Sequence, residues 1–306
     1  MKNIAFIINP ISGGQTGGKR KVPKLIEKEL DRSQWLPNIV FTEYAGHAKE
    51  LARQFTVMGF DAVVAVGGDG TVNEVAQGIV EGSKFQVSSF KFQETALGIL
   101  PMGSGNGFAR HLHIPMSVPR AIQMLNHAEP IQCDYGLAND RLFMCTCGTG
   151  FDAQIAYQFA TSTKRGFKTY LENILKDLVT YKPQTYRIQG DGIDVEHKAF
   201  LVTFANANQW GNDAFIAPQA SVQDGEMDIC MMSSSALLGA PGLALRLFTK
   251  SINNSVFMDS LRAKDVVLTR EDEAPFHLDG DPVKMPKEIR IRIVPEGIRV
   301  MVEKRF

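Results

Sequence analysis

The chain has 306 residues, more than a single hydrophobic core usually organises, so we expect two domains. Its 33 basic and 33 acidic side chains cancel, which argues against nucleic acid as a partner and against a global attraction to acidic membranes. Four cysteines without a CxxC pair indicate free thiols in a reducing cytoplasm, and no apolar run approaches the ~20 residues of a membrane-spanning helix.

The first half of the chain alternates short apolar runs with segments of helical spacing. The predicted strands are residues 4–8, 40–42, 62–66 and 96–100, and the predicted helices are residues 23–30, 46–58, 71–80 and 118–125. Strands and helices that alternate with short connections predict a doubly wound parallel sheet, covered on both faces.

A glycine-rich loop, Gly67-Gly68-Asp69-Gly70-Thr71, follows the predicted strand 62–66. Thr71 and Glu74 have the spacing of a capping box, which predicts that the next helix begins at Thr71. Glycines let a ligand approach the backbone, and the amides at a helix start favour an anion. The loop therefore predicts a phosphate site.

Asp69 is unusual in a loop that is expected to hold anions, because its carboxylate repels phosphate unless a cation or a proton lies between them. In an isolated Asp-Gly turn the aspartate only caps the turn. A buried strand before it and a helix directly after it favour a functional carboxylate here.

A second glycine-rich turn, Pro101-Met102-Gly103-Ser104-Gly105-Asn106-Gly107, follows strand 96–100. Loops that follow parallel strands lie at the carboxyl edge of the sheet, where open α/β sheets bind their ligands. We therefore expect both glycine loops to lie at this one edge.

After about residue 127 the pattern changes to short strands separated by turns, which is typical of an antiparallel β domain. The predicted strands are 132–138, 142–148, 185–189, 194–195, 199–205, 226–232, 266–269, 289–294 and 298–303, with helices at 153–160, 168–181 and 236–250. We expect a first domain of residues 1–130, to which about 298–306 returns, and a second domain of residues 131–297.

Motifs along nearly the whole chain carry a family resemblance. They are Asn9-Pro10 with Ser12-Gly13, 67–71 with Asn73-Glu74, Pro101 with Gly103-Ser104-Gly105-Asn106, Gly148-Thr149-Gly150-Phe151-Asp152, Ala217-Pro218 with Asp224-Gly225 and Asp228, and Asp279-Gly280-Asp281. With them the chain resembles the diacylglycerol kinase catalytic family, which includes sphingosine and ceramide kinases and bacterial lipid kinases. The resemblance implies an NAD-kinase/phosphofructokinase-like α/β domain that binds nucleotide, followed by an antiparallel β-sandwich domain that binds lipid.

The resemblance also implies that ATP phosphorylates a hydroxyl of diacylglycerol or of a sphingoid lipid. The nucleotide contacts that match the family are Asn9, Thr42, Gly67, Gly68, Asp69, Gly70, Thr71, Val72, Asn73 and Ser104. From the residues alone, Thr42 would be an ordinary hydroxyl at a strand end and Ser104 a helix N-cap.

In bacterial members of the family, the glutamate of an Asp-Gly-Glu motif takes the proton from the lipid hydroxyl, and the matching residue here is Asp281. Aspartate keeps the carboxylate but is one methylene shorter, which changes its reach toward the proton. Asp279 is the nearby alternative, and Asp69 is proposed to share this role in the sphingosine kinase branch. From the residues alone, the motif is a hairpin turn.

The family also implies a metal site in the β domain, matched here by Ser221, Asp224 and Glu226, with Glu226 ligating through its backbone carbonyl. Such oxygen ligands suit Mg²⁺, and the alternative is a solvated turn. A second Mg²⁺ is expected to arrive with ATP and to shield the phosphates from Asp69. The implied chemistry is direct in-line transfer without a phosphoenzyme.

A lipid substrate requires an apolar pocket or contact with a membrane, and we expect peripheral attachment at the inner face of the membrane. Residues 236–248 could lie in the interface, although Pro241 and Gly242 favour a broken, buried helix. A homodimer is among the subunit arrangements that the sequence leaves open.

Two sets of residues are candidates for contact with the lipid headgroup. Lys164, Arg165 and Lys168 form a basic cluster that is either a headgroup patch or a solvated surface. Asp152 matches the region that contacts the headgroup in the sphingosine branch, which favours an amino-bearing lipid.

Two other functions are compatible with parts of the sequence. A soluble NAD kinase would share the 67–74 loop but would not account for the second glycine loop or the later Asp-Gly pairs. A non-catalytic nucleotide or lipid sensor would be consistent with Asp281 in place of glutamate.

Overall fold

The computed structural model describes residues 1–11, 21–85, 95–161 and 180–303. The chain divides into two compact units, one formed by Met1–Asp134 with Glu296–Phe306 and the other by Tyr135–Pro295. The borders expected from the sequence, at about residues 130 and 298, lie close to these. The roles assigned to the two domains stay predictions.

In the first unit, parallel strands alternate with helices. Its elements are β1 (Lys2–Ile8), α1 (Val22–Glu29), β2 (Trp35–Phe41), α2 (His47–Val57), β3 (Ala62–Gly67), α3 (Asp69–Ser83), β4 (Ala96–Pro101), α4 (Gly107–His111) and α5 (Val118–Leu125). The strands pair in parallel in the order β4-β3-β1-β2. β3 and β4 are buried along their whole length, as strands covered by helices on both faces should be. The predicted parallel sheet is confirmed.

β2 is longer than the sequence pattern predicted. The prediction began at residue 40, whereas β2 begins at Trp35 and includes Pro37, which has no amide to donate to a neighbouring strand. β2 is the last strand in the sheet order, and Pro37 lies beside Ile4 of β1. An edge strand tolerates proline because one of its sides needs no partner.

The helix after the first glycine loop begins earlier than predicted. α3 starts at Asp69 with Gly68 as its N-cap, so the predicted capping box of Thr71 and Glu74 is wrong. The Glu74 carboxylate instead accepts hydrogen bonds from the backbone amides of Gly46 and Ala48, at 3.0 and 3.2 Å. These amides belong to the start of α2, where intrahelical acceptors are lacking and a negative charge is stabilising. Glu74 therefore joins α3 to α2.

The second unit is built mainly from antiparallel strands, and β5 (Ala128–Ala138) and β15 (Glu288–Glu303) connect it to the first. Its other elements are β6 (Arg141–Phe143), β7 (Thr146–Gly150), α6 (Phe151–Thr161), β8 (Gln184–Gly190), β9 (Ile193–Ala205), β10 (Met227–Ser233), α7 (Ala240–Phe248), β11 (Met258–Ala263), β12 (Asp265–Arg270), β13 (Ala274–Leu278) and β14 (Asp281–Met285), with 3₁₀ turns at Ala236–Gly239 and Ile252–Asn254. The strand order is β14-β13-β7-β9-β8-β12-β15, and β10 and β11 continue outward from β9. The predicted antiparallel β domain is confirmed.

Several predicted boundaries in this unit are wrong. Residues 194–195 and 199–205 form the single strand β9, because the charged residues between them occupy alternate, exposed positions. Residues 289–294 and 298–303 likewise form the single strand β15, and β11 was not predicted. The predicted helix at 236–250 is broken, as expected, into a 3₁₀ turn followed by α7. The predicted helix at 168–181 lies almost wholly outside the described residues.

Two general predictions about the chain can be compared with the structure. All four cysteines lie within the described residues, where they are buried and form no disulfide, although their burial was not predicted. Within the described ranges, none of the helices is both long enough and apolar enough to cross a bilayer.

Candidate active site

The two glycine loops touch each other at the carboxyl edge of the parallel sheet. β3 and β4 end side by side, with Gly67 opposite Pro101, and the Met102 amide donates to the Gly67 carbonyl at 2.7 Å. A Cβ atom on Gly103 would lie 2.4 Å from the Cα atom of Gly68, and one on Gly68 would lie 3.0 Å from the Cα atom of Gly103. Because such contacts leave no room for a side chain, the loops need glycine where they meet. The prediction that both loops share one edge is confirmed.

The second loop is closed by Asn106, a residue that the sequence prediction gave no separate role. Asn106 has a φ of 52°, which asparagine tolerates better than most residues. Its side-chain amide donates to the Gly103 carbonyl and its Oδ1 atom accepts from the Gly103 amide, both at 2.9 Å. Ser104 is exposed at the tip of this loop, and α4 begins at Gly107, so Ser104 is not the N-cap. Ser104 thus lies exposed in a loop that the Asn106 side chain closes by its two hydrogen bonds to Gly103.

Asn9 supports the first glycine loop from the end of β1. Its backbone amide donates to the Val66 carbonyl, and its side-chain amide donates to the Thr71 hydroxyl, both at 3.1 Å. The Thr71 side chain lies over Gly67, where a Cβ atom would be 2.4 Å from the Thr71 Oγ1 atom. Thr42 follows β2 and its amide donates to the Ile8 carbonyl at 2.9 Å. These contacts place the ends of β1, β2 and β3 together with the predicted nucleotide residues at one edge.

The start of α3 provides the chemistry expected for a phosphate site. The first amides of a helix lack intrahelical acceptors, and the helix dipole places partial positive charge there. Asp69 and Gly70 lie in this first turn and are partly exposed. Val72 is an apolar residue among the predicted contacts; its side chain is buried, and its amide donates to the Gly68 carbonyl at 3.0 Å. Asn73 is also buried, and its Oδ1 atom accepts from the Gln77 side chain at 2.6 Å.

The Asp279-Gly280-Asp281 motif forms the hairpin between β13 and β14. Asp279 and Gly280 have φ values of 51° and 86°, which is the signature of a two-residue type I′ turn. Asp281 is the first residue of β14 and is exposed. The hairpin expected from the residues alone is therefore present, and Asp281 is an exposed residue directly after its turn.

Asp279 has a structural role in this hairpin. Its Oδ2 atom accepts from the Met144 amide at 2.8 Å, and its Oδ1 atom accepts from the amides of Cys145 and Thr146 at 2.7 and 3.1 Å. Three amide donors on one carboxylate stabilise the ionised form and occupy its oxygen atoms. Asp279, considered as an alternative base, instead ties the hairpin to the segment before β7.

Asp279→Asn is expected to lower the free energy of unfolding by about 2–4 kcal/mol, because an asparagine amide group replaces one acceptor with a donor that faces backbone amides. Chemical denaturation of the intact chain measures this change. Asp140→Asn, in an exposed turn, is the matched control and is expected to be neutral. Equal stability of the two variants would contradict the structural role of Asp279.

Arg270, which the sequence prediction did not identify, lies beneath the same hairpin. It is 2% exposed, and its guanidinium donates to the Thr149 hydroxyl at 2.7 Å and to the carbonyls of Ala274 and Met285 at 2.8 and 2.5 Å. Burial lowers the pKa of Arg270 from its ordinary value. Because Ala274 begins β13 and Met285 ends β14, this one side chain binds both strands of the hairpin at the end away from its turn.

Asp152 is paired with a histidine that the sequence prediction also missed. The Asp152 Oδ2 atom lies 3.1 Å from Nε2 of His277, and its Oδ1 atom accepts from the Ala153 amide at 2.7 Å. The Thr203 hydroxyl donates to the same Oδ2 atom at 3.4 Å. Gly148 lies under the imidazole, since a Cβ atom there would be 3.1 Å from Nε2. A headgroup contact at Asp152 stays a prediction, and any such ligand would share the carboxylate with His277.

The residues predicted to bind a metal in the β domain are engaged with a side-chain cation. Arg262 forms an ion pair with Asp224, and its Nη1 atom lies 3.3 Å from Oε2 of Glu226. The Ser221 hydroxyl accepts from the Gln223 amide at 3.3 Å. Nearby Asp228 is buried, which raises its pKa to about 6. The described ranges contain no cluster of three or more His, Cys, Asp or Glu arranged for a metal.

Oxygen donors of the type that Mg²⁺ prefers are thus present, but a metal at Ser221, Asp224 and Glu226 would have to displace Arg262. This metal site stays a prediction. Two further sets of predicted residues, Ser12-Gly13 and Lys164, Arg165 and Lys168, lie outside the described residues.

Comparison with known proteins identifies two family matches and similar chains. The family described as the diacylglycerol kinase catalytic domain matches residues 3–138, and the family described as the YegS C-terminal NAD kinase beta sandwich-like domain matches residues 145–302. A protein of Yersinia enterocolitica named "Probable lipid kinase YegS-like" is 26% identical over 292 residues, which cover 94% of both chains. A protein of the same name from Yersinia pestis (strain Pestoides F) has the same identity and coverage. Among solved structures, a diacylglycerol kinase from Bacillus anthracis is 20% identical, with a TM-score of 0.69 over 98% of this chain and 96% of its own, and this likeness shows the fold.

Proposed function

This chain belongs to the YegS-like lipid kinases of the diacylglycerol kinase family, and we propose that it transfers the γ-phosphate of ATP to a hydroxyl of diacylglycerol or a related sphingoid lipid. The match to the diacylglycerol kinase catalytic domain and the curated relatives named as probable lipid kinases point to a kinase of lipids. The alternatives of a soluble NAD kinase and of a non-catalytic sensor are not favoured.

The contact between the two glycine loops is the observation that carries the nucleotide assignment. Gly68 and Gly103 meet backbone to backbone beside the start of α3, where amides and the helix dipole favour an anion. This edge suits the phosphates of ATP, with the Ser104 hydroxyl and the residues after β1 and β2 as further contacts. The loops thereby hold the phosphates in a fixed orientation, which accounts for much of the rate of a phosphoryl transfer.

Mg²⁺ bound to ATP supplies charge neutralisation for the phosphates. Asp69, at the first position of α3, is the residue expected to face that cation. A carboxylate there would hold the cation beside the phosphates and would repel an anion that arrived without one.

We assign the general base to Asp281. It is exposed at the start of β14, whereas Asp279 is occupied by three backbone amides. A base for this reaction needs a carboxylate that a lipid hydroxyl can approach within hydrogen-bonding distance. Arg270 and Asp279 hold the hairpin, and Asp281 pairs with Leu278 directly after its turn, so the hairpin sets the position of the Asp281 main chain.

The substrate also supports a place for the protein at the inner face of the membrane, as a peripheral cytoplasmic enzyme. Diacylglycerol and sphingoid lipids reside in bilayers, while ATP is dissolved in the cytoplasm. The enzyme would therefore act at the surface of the bilayer that faces the cytoplasm.

The direct test incubates the purified protein with radiolabelled ATP, Mg²⁺ and an extract of lipids, followed by thin-layer separation. Label is expected in a phospholipid that comigrates with phosphatidic acid or a sphingoid phosphate, and NAD added as acceptor is expected to remain unlabelled. Asp69→Asn serves as the matched variant and is expected to reduce the label. Label in NADP with none in lipid would contradict the proposed substrate class.

A further inference from the structure

Helix α7 carries apolar side chains on two opposite faces. Leu243 is buried and Leu247 packs beside it against the core cluster that contains Ile252. Leu245 and Phe248 are 65% and 60% exposed. At 3.6 residues per turn these two lie on the side of α7 away from Leu243. A surface helix of a soluble protein normally places polar residues on that side, so this outer face is unusual.

A third exposed apolar residue lies in the segment that follows α7. Val256 is 91% exposed, and the neighbouring Phe257 ring packs on Gly239, where a Cβ atom would lie 2.3 Å from the ring. Gly239 directly precedes α7, so Val256 lies near the start of the helix. We define Leu245, Phe248 and Val256 as the docking patch.

The chain segment that carries the docking patch has charged side chains of one sign only. Between Asp228 and Asp259 the sequence contains no acidic residue, while it contains Arg246 and Lys250. Lys250 is exposed at the end of α7, with its ammonium group 4.5 Å from the centre of the Phe215 ring. Long cationic side chains beside apolar ones can place their stems in an apolar layer and their charges among anionic headgroups.

We propose that the docking patch, with Arg246 and Lys250 at its border, is the surface by which this kinase binds an anionic lipid bilayer. The proposal rests on the proposed function, because a lipid kinase must reach a substrate that resides in a bilayer. A bilayer satisfies both halves of the surface, since it offers acyl chains to the three apolar residues and negative headgroups to the two cations. α7 would then lie in the plane of the interface, and its inner face, which includes Leu243, would still pack on the core cluster around Ile252.

The double variant Leu245→Gln/Phe248→Gln tests this surface in flotation assays with vesicles of phosphatidylcholine and of phosphatidylcholine mixed with phosphatidylglycerol. The wild-type chain is expected to bind the anionic vesicles more tightly, and the double variant is expected to lose about 10- to 100-fold in affinity because two apolar side chains no longer enter the acyl layer. Val57→Gln/Met58→Gln is the matched control, since both residues are exposed apolar side chains of the first unit. Equal vesicle binding by the Leu245/Phe248 variant and the wild type would overturn the proposal.

Two further measurements separate other outcomes. Lys250→Glu changes an exposed side chain, so the variant is expected to fold normally. It reverses one of the two positive charges, and unchanged binding to anionic vesicles by this variant would also overturn the proposal. If light scattering shows a wild-type dimer that Leu245→Gln/Phe248→Gln converts to a monomer, the patch contacts a second copy and the bilayer assignment fails. Activity on a short-chain, water-soluble diacylglycerol is expected to be equal in the wild type and in all these variants. If the wild type had no activity on this substrate, the proposed function would be contradicted, whereas the docking patch would still be judged by the vesicle binding.

Discussion

Asp281→Asn is expected to lower kcat for lipid phosphorylation by about 10²- to 10⁴-fold, the usual contribution of a positioned general base. An asparagine amide cannot take the proton from the lipid hydroxyl, although it has nearly the same shape as aspartate. The free energy of unfolding is expected to change by less than about 0.5 kcal/mol, because Asp281 is exposed and the hairpin is held by other residues. Steady-state kinetics with lipid in mixed micelles and chemical denaturation measure the two quantities.

Asp281→Glu is the informative companion to this variant, because it restores the glutamate that bacterial members of the family use. It keeps the carboxylate and lengthens its reach by one methylene, so it is expected to retain most of the activity. Asp279→Asn is expected to show the opposite result: the free energy of unfolding falls, while kcat of the protein that remains folded changes little. If Asp281→Asn kept the wild-type kcat, another group would have to accept the proton, and the assignment of Asp281 would be wrong.

The structural features at the candidate site that were predicted correctly, the placement of the two glycine loops and the hairpin, depend on local sequence. A buried strand, three glycines and the start of a helix follow one another within about ten residues of the chain, and this order alone implies amides at the carboxyl edge of a sheet. The same holds for the second loop after β4. The type I′ turn at Asp279-Gly280 was also readable, because an Asp-Gly pair between two strand patterns favours positive φ.

The parts that were missed depend on residues distant in sequence. Glu74 matched a capping box three residues from Thr71, yet its carboxylate binds amides 26 and 28 residues earlier in the chain. Asp279 binds amides more than 130 residues away, and His277 meets Asp152 across 125 residues. Propensity and spacing describe only neighbours along the chain, so a polar side chain that satisfies a remote backbone has no local pattern. Arg270 is the clearest case, because a lone arginine in a strand gives no sign that it will be buried.

Gly103→Ala is expected to reduce kcat by about 10²-fold or more and to weaken ATP binding, because displacing a phosphate-positioning loop by about 1 Å has effects of this size. The new methyl group would lie 2.4 Å from the Cα atom of Gly68, and backbone atoms cannot rotate away as a flexible side chain can. The two loops must therefore separate, which moves the amides at the start of α3 relative to the Ser104 loop. ATP titration monitored by thermal stabilisation, together with kcat, measures both consequences.

The geometry also predicts an order among glycine variants. Gly68→Ala places its methyl group at 3.0 Å from the Cα atom of Gly103, so it needs a smaller displacement and is expected to reduce kcat less than Gly103→Ala does. Gly242→Ala is the matched control, since nothing lies within 4 Å of the added atom and ATP binding is expected to be unchanged. A larger loss of kcat in Gly68→Ala than in Gly103→Ala would contradict the assignment of the phosphates to these loops. Wild-type ATP affinity in Gly103→Ala would contradict it too, because the contact between Gly68 and Gly103 would then not affect nucleotide binding.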